Sequence, residues 1–243
     1  MTNHLTRLLS LRHFDMRNDT YIVNQIKEQT CYVSQDFNAD LDRCWKGTRG
    51  EKRESYVNGG GIAKDFILPD FNTTISVVAV DYDPTRLVRG HKLMGGGGGG
   101  GGTEHDRITL RNERFVVPEI LFNPADIDMY RPGLADVVME SLAELPLGLW
   151  PGLLFNILLV GGCARMPGLA ERLKKEIVQR APDECQVRVG VALESDPALS
   201  TWFGGVKLAH HEHIERLAIT KQEYDEHGAG WVARKFALGL GAR

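Results

Sequence analysis

The pattern of apolar and polar residues in this chain is that of an α/β protein, and its clearest part is one strand followed by one helix. Ile157–Val160 is apolar without alternation, which predicts a strand buried on both faces in a sheet that helices cover. The strand ends at Gly161 and Gly162. Two residues without side chains let a ligand approach the backbone closely, although the same pair also occurs in ordinary strand-to-helix connections.

The residues after this glycine pair predict an amphipathic helix. Pro167 suits a first helical turn, because its missing N–H would have no partner there. Leu169, Leu173 and Ile177 then recur at helical spacing and form an apolar stripe. The charged residues between them are expected to face solvent: Glu171, Arg172, Lys174 and Lys175.

Other apolar stripes predict helices near both ends of the chain. The first helix contains Leu5 and Leu9, and the second runs from about Asp19 to Val33. An apolar helix is expected from Trp202 to Ala209, and an amphipathic helix from Gln222 to Phe236.

The middle of the chain predicts strands, loops and short helices. Asp65–Leu68 is expected to form one strand, the segment from Ile108 to Phe115 another, and the alternating Val187–Val191 a third. Asp36–Gly61 is polar, ends in three glycines and is predicted to be a helix tail and loop. The chain from Pro118 to Leu149 is expected to be helical in pieces, because prolines interrupt it.

A long insertion, Phe71 to Arg107, separates the first two predicted strands. It contains the β-prone segment Ile75–Val80 and an unbroken run of glycines from Gly95 to Gly102. Such a run is expected to be a mobile tether, since holding it in one conformation costs much entropy. The insertion is either a tolerated loop expansion or a tether for a partner-docking element. The docking candidates are its apolar residues Phe71, Ile75, Val77, Val78 and Val80.

Composition fits a globular protein of one large domain or two lobes. The chain has 243 residues, of which 42% are hydrophobic and 25% charged, and a net charge of −3. This charge argues against a surface built mainly to grip nucleic acid, and no sequence-specific nucleic-acid partner is expected. No segment reaches the roughly 18 apolar residues that would cross a bilayer, so a soluble intracellular protein without a membrane partner is predicted.

The residues that carry chemistry form no recognisable catalytic or metal site. Cys31, Cys44, Cys163 and Cys185 are scattered without a CxxC pair, which argues against zinc and against a disulfide framework. His210, His211 and His213 are expected on a solvated surface and not in a metal site, because adjacent helical residues point in different directions. No metal site of the chain's own is predicted.

Six motifs occur in an order that resembles the carboxyl-terminal half of actin and its relatives. They are IKEQTCYV, LPD, NERFVVPEILFNP, LVGGCARMPGLAERLKKEI, STWFGGVKLA and KQEYDEHGAGWVARKF. The chain is identified on these motifs as a member of the actin superfamily. The resemblance implies an α/β, actin-like (ribonuclease H-like) fold. That fold is expected to be incomplete, because the family's amino-terminal half, with the phosphate-binding hairpins, precedes the region that matches Leu5.

The resemblance also implies a division into three regions. Residues 1–129 resemble the small lobe, or subdomain 4, with the flexible insertion at 71–107. Residues 130–199 resemble subdomain 3, and 200–243 resemble the segment that returns to subdomain 1. In the family, strands of the amino-terminal half complete the sheet that contains the Ile157 strand. An unpaired edge there is expected to make the isolated chain prone to aggregation or dependent on a partner.

Part of a nucleotide site is implied by the same resemblance. Lys27 and Glu28 match the lysine and glutamate that actins place on the adenosine side of the cleft. Gly161 and Gly162 match the glycine pair that lies against the adenosine and phosphates. Met166 stands where actins have a tyrosine, so it can pack against adenine but lacks the aromatic ring and hydroxyl.

Two other family contacts have no counterpart in the sequence. Ala198 stands where actins have a lysine, and the phosphate-gripping hairpins with their magnesium-positioning aspartates are not among these residues. ATP or ADP is the expected nucleotide, with binding weakened or absent in this chain. Hydrolysis needs positioned anionic ligands and clamped phosphates, so no catalytic residue is assigned and the chain alone is not expected to be an enzyme.

Two departures from conventional actin, the segment NERFVVPEILFNPADID and the expanded loop after Phe71, resemble nuclear actin-related proteins. Proteins of that kind are subunits of the ATP-dependent complex that exchanges the Z variant of core histone two-A into nucleosomes. The resemblance implies a scaffold subunit in the nucleus, with the cytoplasm as a second location. Its expected partners are the remodeller ATPase subunit, other subunits of the complex, and the nucleosome or histones. Two alternatives stay open: a nucleotide-binding or polymerising actin-like ATPase, and a nucleotide-free interaction domain.

Overall fold

A computed structural model places most of the chain in two small β-sheets with helices around them. It describes residues 1–48, 54–69, 78–85, 107–192, 196–212, 214 and 218–239. The glycine run Gly95–Gly102 and the docking candidates Phe71, Ile75 and Val77 lie outside the described residues. The predicted tether therefore stays a prediction.

Among the described residues, the amino-terminal part combines four helices with an antiparallel sheet. The helices are α1 (Thr2–Arg12), α2 (Thr20–Thr30), α3 (Phe37–Cys44) and α4 (Glu54–Val57). The strands are β1 (Lys64–Ile67), β2 (Val78–Asp81) and β3 (Arg107–Leu110). β1 lies in the centre, with β2 on one side and β3 on the other.

The rest of the described chain surrounds a two-stranded parallel sheet. Its strands are β4 (Ile157–Leu159) and β5 (Val189–Val191). Its helices are α5 (Glu113–Glu119), α6 (Leu134–Ala143), α7 (Trp150–Leu154), α8 (Leu169–Arg180), α9 (Ser200–Ala209) and α10 (Lys221–Gly239). Short 3₁₀ turns occupy Gly59–Gly61, Pro124–Ile127, Leu147–Leu149 and Gly162–Arg165.

The predicted apolar stripes of α1 and α2 are buried against each other. Leu5 and Leu9 on α1, and Val23 and Ile26 on α2, are fully buried. α2 ends at Thr30, however, and the prediction that it continues to Val33 is wrong. The backbone after Thr30 is extended because the N–H groups of Tyr32 and Val33 bond to other segments.

The extended segment after α2, residues 31–35, joins two other parts of the chain. The Tyr32 N–H donates to the Arg114 carbonyl at 3.0 Å, and the Val33 N–H donates to the Pro167 carbonyl at 2.8 Å. Buried backbone groups need partners, and these two partners lie on separate elements. The segment therefore fixes the position of α5 and of the turn before α8 relative to α2.

Two predictions for the region between α2 and α6 are wrong. The polar stretch from Asp36 contains a helix, α3, whose first turn is capped because the Asp36 carboxylate accepts from the Ala39 N–H at 3.0 Å. No residue of α3 is buried, so no apolar stripe marks it. The strand expected to reach Phe115 stops at Leu110, and Phe115 belongs to α5, where its ring packs against Phe37 at 5.5 Å.

The start of α8 also differs from the prediction. Pro167 precedes the helix, which begins at Leu169 after Gly168. Gly168 has φ +83°, and a Cβ there would lie 2.3 Å from the Val33 carbonyl oxygen. Both the positive φ and the close approach to Val33 require glycine at this position. The turn at Gly168 places the helix start two residues later than predicted.

The predicted faces of α8 are correct with one exception. Leu169, Leu173 and Ile177 are buried, which confirms the apolar stripe. Arg172, expected to face solvent, has a side chain that is only 14% exposed. Its guanidinium lies over the Phe122 ring, with 5.1 Å between Cζ and the centroid, and carboxylates surround it.

The β4 strand is buried on one face only, so the prediction of two buried faces is wrong. Successive strand residues point to opposite faces. Ile157 and Leu159 pack against the core, whereas Leu158 between them is 60% exposed. Within the part of the chain that the structure describes, β4 pairs only with β5. α9 is similarly uncovered, since Trp202 is 64% exposed and no residue of α9 is buried.

A single buried cluster runs through the elements described. It includes Leu5 of α1, Phe66 of β1, Leu142 of α6 and Ile177 of α8. The predicted regions 1–129 and 130–199 thus share one core, and their boundaries stay predictions. In the described residues, no helix is both long and apolar enough to cross a membrane.

The exposed apolar residues of β4 and α9 predict self-association of the isolated chain. We expect the 27.1 kDa chain to elute in gel filtration with light scattering as species larger than a monomer. The double variant Leu158→Ser, Trp202→Ser is expected to shift the population toward the monomer. Tyr130→Ser serves as the matched control, because Tyr130 is 88% exposed and lies on neither element. A sharp monomer peak from the unaltered chain would contradict the prediction.

Candidate functional site

The glycine pair forms an open wall at the carboxyl end of β4. Gly161 has φ +94° and ψ 168°, a conformation that favours glycine, and its N–H donates to the Pro197 carbonyl at 2.7 Å. A Cβ at Gly161 or at Gly162 would meet no atom within 4 Å. Space therefore exists beside this backbone at the edge where α/β sheets commonly bind ligands.

A short turn carries the chain from the glycine pair toward α8. The turn Gly162–Arg165 exposes Cys163. The Asp196 carboxylate accepts a hydrogen bond from Arg165 Nε at 2.6 Å and another from the Ala198 N–H at 3.0 Å. Asp196 thus links Arg165 to Ala198, the position at which actins have a lysine. Sequence reasoning did not single out Arg165, because nothing in the motif separates it from a solvated surface arginine.

Lys27 and Glu28 lie on the last turn of α2 and share one neighbour. Lys27 Nζ donates to Asn24 Oδ1 at 2.6 Å and to Thr2 Oγ1 at 3.3 Å. Asn24 Nδ2 donates to Glu28 Oε1 at 2.7 Å. Asn24 therefore orients both side chains, and the Lys27 ammonium, which has three donors, retains capacity for one further acceptor.

Met166 occupies the core side of the turn. Its residue is 9% exposed and belongs to the main buried cluster. Only a small part of this side chain is available to a ligand beside the glycine pair. The predicted contact with adenine would therefore use little of the methionine.

The structure connects the two halves of the predicted site through the segment that follows α2. The Val33 N–H reaches the Pro167 carbonyl, and Gln35 Nε2 donates to the Gly168 carbonyl at 2.8 Å. α2 carries Lys27 and Glu28, and the turn Gly162–Arg165 and then Met166 lead from the glycine pair to Pro167. The site residues are thus on neighbouring segments that hydrogen bonds hold together.

A buried ionic network lies behind this junction. Arg172 donates to the Ser34 carbonyl at 2.8 Å, to Glu119 Oε1 at 3.2 Å and to Glu176 Oε1 at 2.7 Å. Burial raises the pKa of Glu119, and the Arg172 charge opposes that rise. The network joins α8 to α5 and to the segment after α2, and breaking one partner of a buried pair typically costs about 3–5 kcal/mol.

The docking candidates that the structure describes, Val78 and Val80, are strand residues. Both lie on β2, where Val78 is exposed. The Ala79 N–H between them donates to Gln29 Oε1 at 3.2 Å. The side chain of Gln29, on α2, thus satisfies one backbone N–H of β2. This bond protects the edge strand from pairing with other chains.

Among the residues that the structure describes, no group of three or more His, Cys, Asp or Glu side chains is placed to hold a metal ion. The cysteines differ in environment instead. Burial raises the pKa of the Cys31 thiol to about 11, whereas Cys163 is exposed beside the glycine pair.

Comparisons with known proteins identify the relatives of this chain. The family described as Actin matches residues 7–237. Actin-related protein 6 of Neurospora crassa is 58% identical over 241 residues, which are 99% of this chain and 52% of that protein. The actin-like protein arp6 of Emericella nidulans is 43% identical over 241 residues, covering 99% of this chain and 50% of its own. Actin-related protein 6 of Drosophila melanogaster is 33% identical over 228 residues, covering 94% and 51%.

The chain spans about half the length of the curated relatives it matches. The family match confirms the predicted resemblance and the predicted α/β fold of that family. The half-length coverage is consistent with the expectation that the fold is incomplete.

The reactivity of the thiols tests whether Cys31 is buried and whether a nucleotide binds beside Gly161 and Gly162. At pH 8 a thiol of pKa about 11 is ionised in roughly one molecule per thousand, against about a quarter for an ordinary thiol. We expect iodoacetamide to modify Cys163 at least about 100-fold faster than Cys31, as followed by peptide mass spectrometry.

The same measurement with ATP and magnesium reports on ligand binding. A nucleotide beside the glycine pair is expected to slow the modification of Cys163 and leave that of Cys44, on α3, unchanged. Equal rates at Cys31 and Cys163 would contradict the described burial. Unchanged Cys163 reactivity at millimolar ATP would argue against a nucleotide wall in this chain.

Proposed function

Because this chain belongs to the actin family, we propose that it is an actin-related structural subunit of an ATP-dependent chromatin-remodelling complex that exchanges the Z variant of core histone two-A into nucleosomes. The observation that carries the proposal is the 58% identity to an actin-related protein 6 over 99% of the chain. The proposed role is that of an interaction scaffold, with a separate subunit as the motor.

Exposed apolar residues support a scaffold role. Leu158 on β4 and Trp202 on α9 are more than half exposed, although large apolar residues in such numbers are usually covered by protein. Partner subunits, or the amino-terminal half that in the family completes the sheet containing β4, would remove this surface from water. The proposed partners are the remodeller ATPase subunit and other subunits of the complex, and the nucleosome or histones. The proposed location is the nucleus, with the cytoplasm as a second compartment.

A weak nucleotide site fits the same role. Lys27, Glu28, Gly161 and Gly162 would face the adenosine of ATP or ADP, and the glycine pair has open space beside it. Met166 would contribute little, since it is buried. In such a site the nucleotide would stabilise the fold, and this chain would not hydrolyse it.

The insertion can be tested as a docking element more sharply than the sequence alone allows. Deleting all of 71–107 would also remove β2, which pairs with β1. Replacing Ile75, Val77 and Val78 with Ser removes three of the apolar docking candidates and leaves the length of the chain between β1 and β3 unchanged. We expect the tagged variant to lose the remodeller subunits that copurify with the unaltered chain from nuclear extract, as measured by quantitative mass spectrometry.

Two controls make the copurification decisive. Tyr130→Ser changes an exposed residue outside the insertion and is expected to leave the recovered subunits unchanged. Recovery of the full set by the triple Ser variant would remove the docking role. Failure of the unaltered chain to recover any remodeller ATPase subunit would overturn the scaffold proposal itself.

An actin-like ATPase that binds nucleotide or polymerises is the second candidate function. The open space beside Gly161 and Gly162 favours it, whereas the buried Met166 and the alanine at 198 favour a nucleotide-free interaction domain, the third candidate. Protection of Cys163 by ATP together with phosphate release would select the ATPase. No protection together with intact copurification would select the nucleotide-free domain.

A further inference from the structure

A cleft of about 390 Å³ lies away from the glycine pair, between α1, α4 and the sheet of β1 to β3. Arg12 and His13 line it at the end of α1, Tyr56 on α4, Tyr82 after β2, and Arg111 after β3. The volume is within the range of ligand pockets, roughly 300–1,000 Å³. No motif in the sequence assigned a function to these residues.

Arg111 is held in a fixed orientation inside the cleft. Its Cζ lies 4.1 Å from the centroid of the Tyr56 ring and 4.8 Å from that of Tyr82. Nη1 donates to the Tyr56 carbonyl at 2.8 Å, and Nη2 donates to the Tyr82 hydroxyl at 2.9 Å. A guanidinium has five N–H donors, so these two bonds orient the group and leave donors for a ligand.

The charges that line the cleft do not balance. Arg12 donates to Glu113 and to Asn112 Oδ1, the latter at 3.1 Å. Glu113 is also the acceptor for the Arg111 N–H at 2.9 Å. Apart from His13, the described lining residues carry two guanidinium groups and one carboxylate, an excess of one positive charge. Because Glu113 pairs with the half-exposed Arg12 side chain, the Arg111 guanidinium is the one without a carboxylate partner among the described lining residues.

We propose that the cleft binds one carboxylate side chain adjacent to an aromatic residue, both presented by a partner protein. A single carboxylate neutralises the excess charge and accepts hydrogen bonds from the guanidinium forks, which match carboxylate geometry. Arg111 covers one face of the Tyr56 and Tyr82 rings, but both residues are only half-buried, and their exposed part gives an aromatic neighbour a surface to pack on. A bare inorganic anion would leave that surface unused. The proposal does not depend on which complex the protein joins.

Short peptides test the ligand chemistry on the full 243-residue chain. In isothermal titration calorimetry we expect acetyl-Phe-Glu-amide to bind about tenfold more tightly than acetyl-Phe-Gln-amide, because only the first supplies a charge-assisted pair. Inorganic phosphate is expected to compete poorly. Equal binding of the two peptides would overturn the proposal. Displacement of the glutamate peptide by equimolar phosphate would overturn the choice of a carboxylate with an aromatic neighbour.

Matched arginine variants test the location. Arg12→Gln is expected to weaken binding of the glutamate peptide about tenfold while retaining a donor for Glu113. Arg17→Gln is the control, since it removes the same charge from an exposed residue that pairs with Asp15. Unchanged peptide affinity in folded Arg12→Gln would overturn the assignment of this cleft.

A second variant, at Tyr82, keeps the test independent of any folding defect that Arg12→Gln causes. Tyr82→Phe retains the ring and removes the hydroxyl that orients Arg111. It is expected to weaken the glutamate peptide severalfold without a change in melting temperature and without an effect on the glutamine peptide. Equal loss for both peptides would mean that the tyrosine acts through packing alone, against the proposal.

Discussion

The contact between the segment after α2 and the turn before α8 is the constraint on which the rest of this structure depends. Val33 and Pro167 share a backbone hydrogen bond, and the approach is so close that only glycine fits at 168. Arg172 reinforces the junction by bonding the Ser34 carbonyl and the buried Glu119. The elements that carry the candidate nucleotide residues therefore have their relative positions set by one backbone contact and one ionic network.

Periodicity predicted the buried faces well and the ends of elements less well. The stripe through Leu173 is correct because burial on a helix depends on spacing that a sequence displays directly. The helix start near Pro167 was displaced because a turn between distant segments decides it, and α3 was missed because its stability comes from the Asp36 cap and not from an apolar face. The exposure of Leu158 could not be predicted either, since it depends on which elements pack on that face of β4.

The two candidate binding regions differ in how visible they are in sequence. The glycine pair was found because its residues are consecutive and their lack of side chains is itself the signal. The cleft around Arg111 gives no such signal, because Arg12, Tyr56 and Tyr82 come from separate elements and meet only through the sheet and α1. Aromatic residues and arginines at those spacings are common on any surface. Only their distances and hydrogen bonds set them apart.

The register of the first sheet has a consequence for the evolution of the chain. β2 and β3 both run antiparallel to β1, so they are parallel to each other with β1 between them. Residues 82–106 must bring the chain past β1, a distance of about 10 Å across the sheet and about 10 Å along it. A connection between parallel strands that passes over a third takes about a dozen residues or more. Residues 82–106 number 25, so changes in the length of this segment leave the pairing of β2 and β3 with β1 possible.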